Sequence, residues 1–185
     1  MSSVLFLPLA CPSCSGDLVG RATDLVAFCR PCRSAWRCDA ATLDELRVAE
    51  VMEKPPGDGA LIYLPFWIKG AAAIPAFYTA RPLTLARIAA KLLDEWPARR
   101  AVPDPPPFGA RIPPDSIGQT CRLARIAAPS TLSPLALLAL PARIHGERFL
   151  LPRYTGELYL GDVLEAHALR ERIFASTASL PSGKR

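Results

Sequence analysis

Four of the six cysteines in this chain fall into two pairs with the same internal spacing, Cys11-Pro12-Ser13-Cys14 and Cys29-Arg30-Pro31-Cys32. Two cysteines separated by two residues can bring both sulfurs onto one ion across a tight turn. Two such turns supply four thiolates in a tetrahedron, the closed arrangement of a structural metal site. Fourteen residues lie between the pairs, one short of the roughly 15–20 of a common zinc-site spacing. Four protein ligands leave no position for water or substrate, so the expected role is structural. The expected ion is zinc, held by Cys11, Cys14, Cys29 and Cys32, and the ligand set does not exclude iron.

Each pair sits in turn chemistry. Pro12 and Pro31 fix φ inside the loops, and Gly16 follows the first pair where the chain must bend. Between the pairs, "DLVGRATDLVAFC" predicts two short strands around a polar turn. "SAWRC" then predicts a third, with Trp36 covering a small core. On these residues the segment 9–40 resembles the zinc-ribbon superfamily. Arg33 stands where many ribbons have Gly, so the second turn is expected to be less regular. Rubredoxin iron sites use the same ligands. Redox use of each pair would want a βαβ setting, which the sequence does not offer. Cys38 is read as a free thiol, with substitution for a ligand as the alternative. Cys121 is read as a small core residue.

"LPLACPSC" also carries the outline of a lipoprotein signal, an apolar run ending in cysteine. Against it, Met1-Ser2-Ser3 has no side-chain charge, Pro8 interrupts the apolar run, and Pro8 stands where Leu is usual before a lipid-modified cysteine. Disulfides would need an oxidising compartment that no export signal supports. The expected location is cytoplasmic. No apolar run reaches the length of a membrane-spanning helix.

The chain of 185 residues, half of them hydrophobic, has room for one core and a small appendage. The expected fold class is α+β. A zinc ribbon and connector would occupy 1–54, a mixed strand and helix domain 60–176, and a mobile tail 177–185. "TLDELRVAEVM" (42–52) carries a Thr cap with Glu45 three residues on and predicts a short helix, with an extended connector as the alternative. "ALIYLPFWIKG" (60–70) predicts a buried strand. "PLTLARIAAKLLDEW" (82–96) predicts a helix with Leu85, Ile88, Ala89, Leu92, Leu93 and Trp96 on one face. "PDSIGQTCRLARIAA" (114–128) predicts a second, burying Ile117, Cys121, Leu123 or Ala124, and Ala128. Residues 135–160 predict strands turned at Gly146 and Gly156, and 161–175 a closing helix capped by Asp162. "YLPFW" after a four-cysteine ribbon, followed by "IPAFY", is similar to bacterial proteins of unassigned role that join a ribbon to an α+β domain. The similarity implies architecture and no activity.

The rest of the chain offers little catalytic chemistry. Its two histidines, His145 beside a predicted turn and His167 among glutamates, read as solvent-facing. No phosphate loop, HExxH or nucleophile elbow occurs. Asp94-Glu95, or Glu147 with Glu157, are the carboxylates that an unrecognised enzyme would use. The first 50 residues are acidic by one charge and the remainder basic by six, so the ribbon is not the basic part. Nucleic-acid binding is therefore expected to be weak and non-specific. Phe66, Trp67, Phe77 and Tyr78 are read mainly as core, and as a protein-docking surface if exposed. The leading expectation is a non-catalytic zinc-ribbon interaction or accessory protein, such as a subunit of a larger assembly. A nucleic-acid-binding protein using the basic C-terminal domain is second, and a small enzyme third.

Overall fold

The computed structural model describes residues 10–21, 23–39, 42–95, 98–107 and 109–163. Of the predicted closing helix only 161–163 is described, where Asp162 ends a short 3-10 turn and Val163 is extended; the rest of it, the tail, His167 and Trp96 lie outside these residues.

The described chain is α+β and mostly strand. In order come β1 (Leu18–Val19), β2 (Val26–Cys29), β3 (Ala35–Cys38), β4 (Leu43–Val51), β5 (Ala60–Lys69), β6 (Ala72–Pro75), α1 (Pro82–Glu95), β7 (Ala98–Arg100), α2 (Ile117–Ala124), β8 (Ala136–His145), β9 (Arg148–Leu150) and β10 (Leu158–Tyr159). The strands form one sheet in the order β1-β2-β3-β4-β8-β5-β6. β7 is added to β4, β9 to β8 and β10 to β9. All pairings are antiparallel except β4 with β8.

Residues 43–51 are a strand, not the predicted helix; the extended alternative is the correct one. Alternate residues explain it. Leu46 and Val48 are buried on one face, and Ala49 and Val51 pack on the other. A helix would scatter these side chains around its circumference. Thr42 does not cap a helix; it exchanges backbone hydrogen bonds of 3.3 and 3.0 Å with Asp39 in a hairpin.

The sheet is buried on both faces, so its central strands read as continuous apolar runs. One face carries Leu64, Phe66, Leu138, Leu140, Phe149, Phe77 and the α1 residues Leu85, Ala89 and Leu92. The other carries Tyr63, Trp67, Leu137, Ile117, Cys121 and Ala124, together with Val26, Phe28 and Ala35 from β2 and β3. Phe66 and Phe77 meet edge to face, 5.8 Å between centroids. α2 ends sooner than expected, at Ala124, because Arg125 takes a left-handed φ of 55°. Its buried residues are Ile117, Cys121 and Ala124; Leu123 and Ala128 are exposed.

Besides Pro75 at the end of β6, two prolines lie inside strands without breaking the ladders. Ala76 donates to the Pro65 carbonyl (3.0 Å), so Pro65 turns its polar edge toward β6. The N–H that proline lacks would have answered the Ala76 carbonyl. That carbonyl instead accepts from Arg111 (2.6 Å) and Ile112 (2.9 Å). Pro141 lies where β4 pairing with β8 has ended at Ala139 and β9 pairing begins at Arg143, so on that side it faces no strand.

Glu50 is a charged residue buried within the sheet. Its carboxylate accepts from the Tyr63 hydroxyl (3.0 Å) and from Arg99 (2.7 Å). Burial and the adjacent carboxylate push the Tyr63 hydroxyl well above its ordinary value, so it remains a donor. We expect Glu50→Ala to cost about 2–3 kcal/mol in urea unfolding, because it orphans a buried hydroxyl. Arg99→Ala is expected to cost about 1 kcal/mol or less, since that guanidinium is 56% exposed and water can replace it.

Candidate metal centre

Cys11 and Cys29 are buried; Cys14 and Cys32 are exposed. Their four sulfurs all lie within 4.8 Å of one another. Cys11 Sγ is 3.5 Å from Cys32 Sγ, and Cys14 Sγ is 3.4 Å from Cys29 Sγ. Four sulfurs about 2.3 Å from a common ion would sit about 3.8 Å apart, so the cluster fits a four-coordinate metal.

The two knuckles have the same backbone. Cys11 N–H donates to Gly16 O (2.8 Å), and Cys29 N–H donates to Ser34 O (2.9 Å). The residue after each second cysteine is left-handed, Ser15 with φ 60° and Arg33 with φ 55°. The second turn is therefore as regular as the first, contrary to expectation: Arg33 accepts the conformation that Gly would adopt freely. Gly16 has a different task. A Cβ there would stand 3.1 Å from Pro31 Cγ and 3.3 Å from Cys14 Sγ, so its small size lets the knuckles close on each other.

β1, β2 and β3 form as expected and carry the knuckles. Ala27, Cys29, Leu18, Cys11 and Trp36 make a small core on the cysteine side. The Trp36 indole N–H donates to Ser34 Oγ (2.8 Å), and that hydroxyl lies 3.1 Å from Cys32 Sγ and 3.4 Å from Cys11 Sγ. Trp36 thereby orients a hydroxyl whose proton can point at the thiolates. Cys38 is outside the cluster, its thiol directed at the Trp36 carbonyl (3.8 Å). Burial pushes its thiol up, as it does at Cys121 in the main core.

The cluster divides its protons unequally. Burial pushes the Cys11 thiol up, but the Ser34 hydroxyl, the N–H groups of Ser13 and Cys14, and Cys32 outweigh it and bring it to about 6. Cys32 is lowered too, chiefly by Ser34. At Cys29 the Cys32 N–H lowers the value, but burial and the sulfurs of Cys32, Cys14 and Cys11 prevail and push it up to about 12. Four thiolates this close need a cation, and a bound divalent ion would supply the charge that lets all four ionise.

A loop fastens this lobe to the rest. Asp24 is buried and accepts from Arg21 N–H (2.9 Å) and Arg111 Nε (3.0 Å), and Leu25 N–H donates to Ala110 O (2.6 Å). A Cβ on Gly109 would collide with the Asp24 carboxylate. No motif marks Ser34 or Asp24, since both partnerships form only in three dimensions.

The other candidates sit elsewhere. Phe66, Trp67 and Phe77 are buried, so they offer no docking surface in this fold; Tyr78 alone is exposed, at 46%. The Trp67 indole donates to Ile112 O (2.5 Å). His145 is exposed at its turn, and Glu157 is engaged by Arg148 and Tyr159. Among the described residues no helix is long and apolar enough to cross a membrane.

Ser34→Ala removes the hydroxyl that holds Cys11 and Cys32 low. Their thiols rise, protons compete better for them, and metal is lost at a higher pH as the solution is acidified. We expect affinity at neutral pH to fall about tenfold, measured by competition with a chromophoric chelator.

No protein-family model, curated protein or solved structure matches this chain.

Proposed function

We propose that this chain is a non-catalytic accessory protein in which a zinc ribbon, closed by Cys11, Cys14, Cys29 and Cys32, supports a surface used by a protein partner. The four-thiol cluster carries the reading. Four thiolates fill the coordination sphere, so zinc here would be a staple with no open position for substrate. Its stabilising effect belongs where apolar burial is smallest, and the core on the cysteine side holds only five buried residues, two of them ligands. Iron in the same ligands would favour electron transfer instead.

Elemental analysis of the purified protein should find about one zinc per chain. Full metal absence with four freely titrating thiols would overturn the reading, and a stoichiometric red iron centre would replace it with a redox one. Purification from the source cells should yield a stoichiometric protein partner that dissociates when the metal is chelated.

Cys14→Ser should lose the ion and open residues 10–38 to hydrogen exchange. Amides of β5, β8 and α1 should stay protected, because one face of that sheet packs no residue of 10–38 and the other keeps Ile117, Cys121 and Ala124 of α2. Equal loss of protection everywhere would show that the ion holds the whole fold.

A further inference from the structure

One edge of β4 is interrupted. β3 pairs with it from Leu43 to Leu46, and β7 from Ala49 to Val51. Arg47 and Val48 face no strand there. The direction of their polar groups follows from the ladder. Cys29 N–H donates to Ser34 O and Cys38 N–H to Leu25 O, so even-numbered residues of β3 face β2. Ala35 and Arg37 then face β4, meeting Leu46 and Asp44. Continuing the alternation, Val48 turns its N–H and C=O into the gap.

The gap opens into a cleft of about 170 Å³ whose lining includes Arg33, Arg47 and Arg100 together with Val48 and Val102. Glu45 is the one carboxylate in the lining. Arg47 and Arg100 have no ion-pair partner among the described residues, and the pair of Arg33 with Asp104 is long (3.9 Å) and exposed on both sides. A second recess of about 100 Å³ adjoins it through Arg33 and Val102 and adds Arg30. Guanidinium groups present forked donors that match the oxygens of a phosphate.

We propose that this cleft is an oxyanion site that takes the phosphate group of a phosphate ester on Arg33, Arg47, Arg100 and the Val48 N–H. The Val48 carbonyl accepts from a ligand hydroxyl or from water. The site adjoins the second cysteine knuckle through Arg33, and the recess beside it includes Cys29 in its lining. Two sources share this chemistry, a free phosphate ester and the backbone of a nucleic-acid strand.

The test is calorimetric titration of the metal-loaded full chain with pyrophosphate and with a short single-stranded oligonucleotide, at about 50 mM and about 200 mM salt. Saturable binding is expected, weakened about tenfold or more by Arg47→Ala and by Arg100→Ala. Arg122→Ala, an exposed residue on α2, removes the same charge elsewhere and should leave it unchanged. Similar affinities for both probes would assign a free ester. A much tighter oligonucleotide with the same arginine dependence would assign a strand. Failure of both probes to saturate, or an equal loss in the Arg122→Ala protein, would overturn the proposal.

Discussion

The structure depends on one strand having three neighbours. β4 is held by β3 over its first half and by β8 over its second, with β7 completing the edge. Its even-numbered residues place Leu46 and Val48 in the same core as Phe28, Ala35, Trp67 and Cys121. The cysteine lobe and the main sheet are therefore two ends of one hydrogen-bonded surface. Without the lobe, the first half of β4 would expose a hydrogen-bonding edge and half of its packing face.

That arrangement explains which parts of the fold were legible in the sequence. α1 was readable because its apolar positions recur at helical spacing, and β5 because its run is apolar throughout. β4 was not, since Thr42 and Glu45 imitate a helix start and the partner that decides against it, β8, lies far along the chain. Pro65 and Pro141 look like breaks but face a loop in one case and an unpaired edge in the other. The end of α2 turns on one left-handed Arg125, a position that composition does not mark.

The four-cysteine cluster was visible from spacing, because a knuckle is a local object. What tunes them was not. Ser34 reaches Cys11 across the gap between the knuckles, and its orientation is set by Trp36 from the following strand. Arg33 looked like a defect when judged against glycine. In the fold its left-handed backbone completes the second turn, and its side chain leaves toward the cleft beside β4.

Charge shows the same division between chain and fold. By sequence the first 50 residues are slightly acidic and the arginines dispersed. In the structure Arg33, Arg47 and Arg100, from a knuckle, a central strand and an added strand, line one cleft. The thiolate cluster sits close by, so its charge state matters to that cleft. Four thiolates with a divalent ion carry two negative charges, and their reach is limited by screening to about 8–10 Å at ordinary ionic strength. An ion bound by the four sulfurs would fix the turn that Arg33 completes. The second knuckle is thus the element that joins the four-thiol cluster to the basic cleft, since Cys32 belongs to the cluster and Arg33 to the cleft.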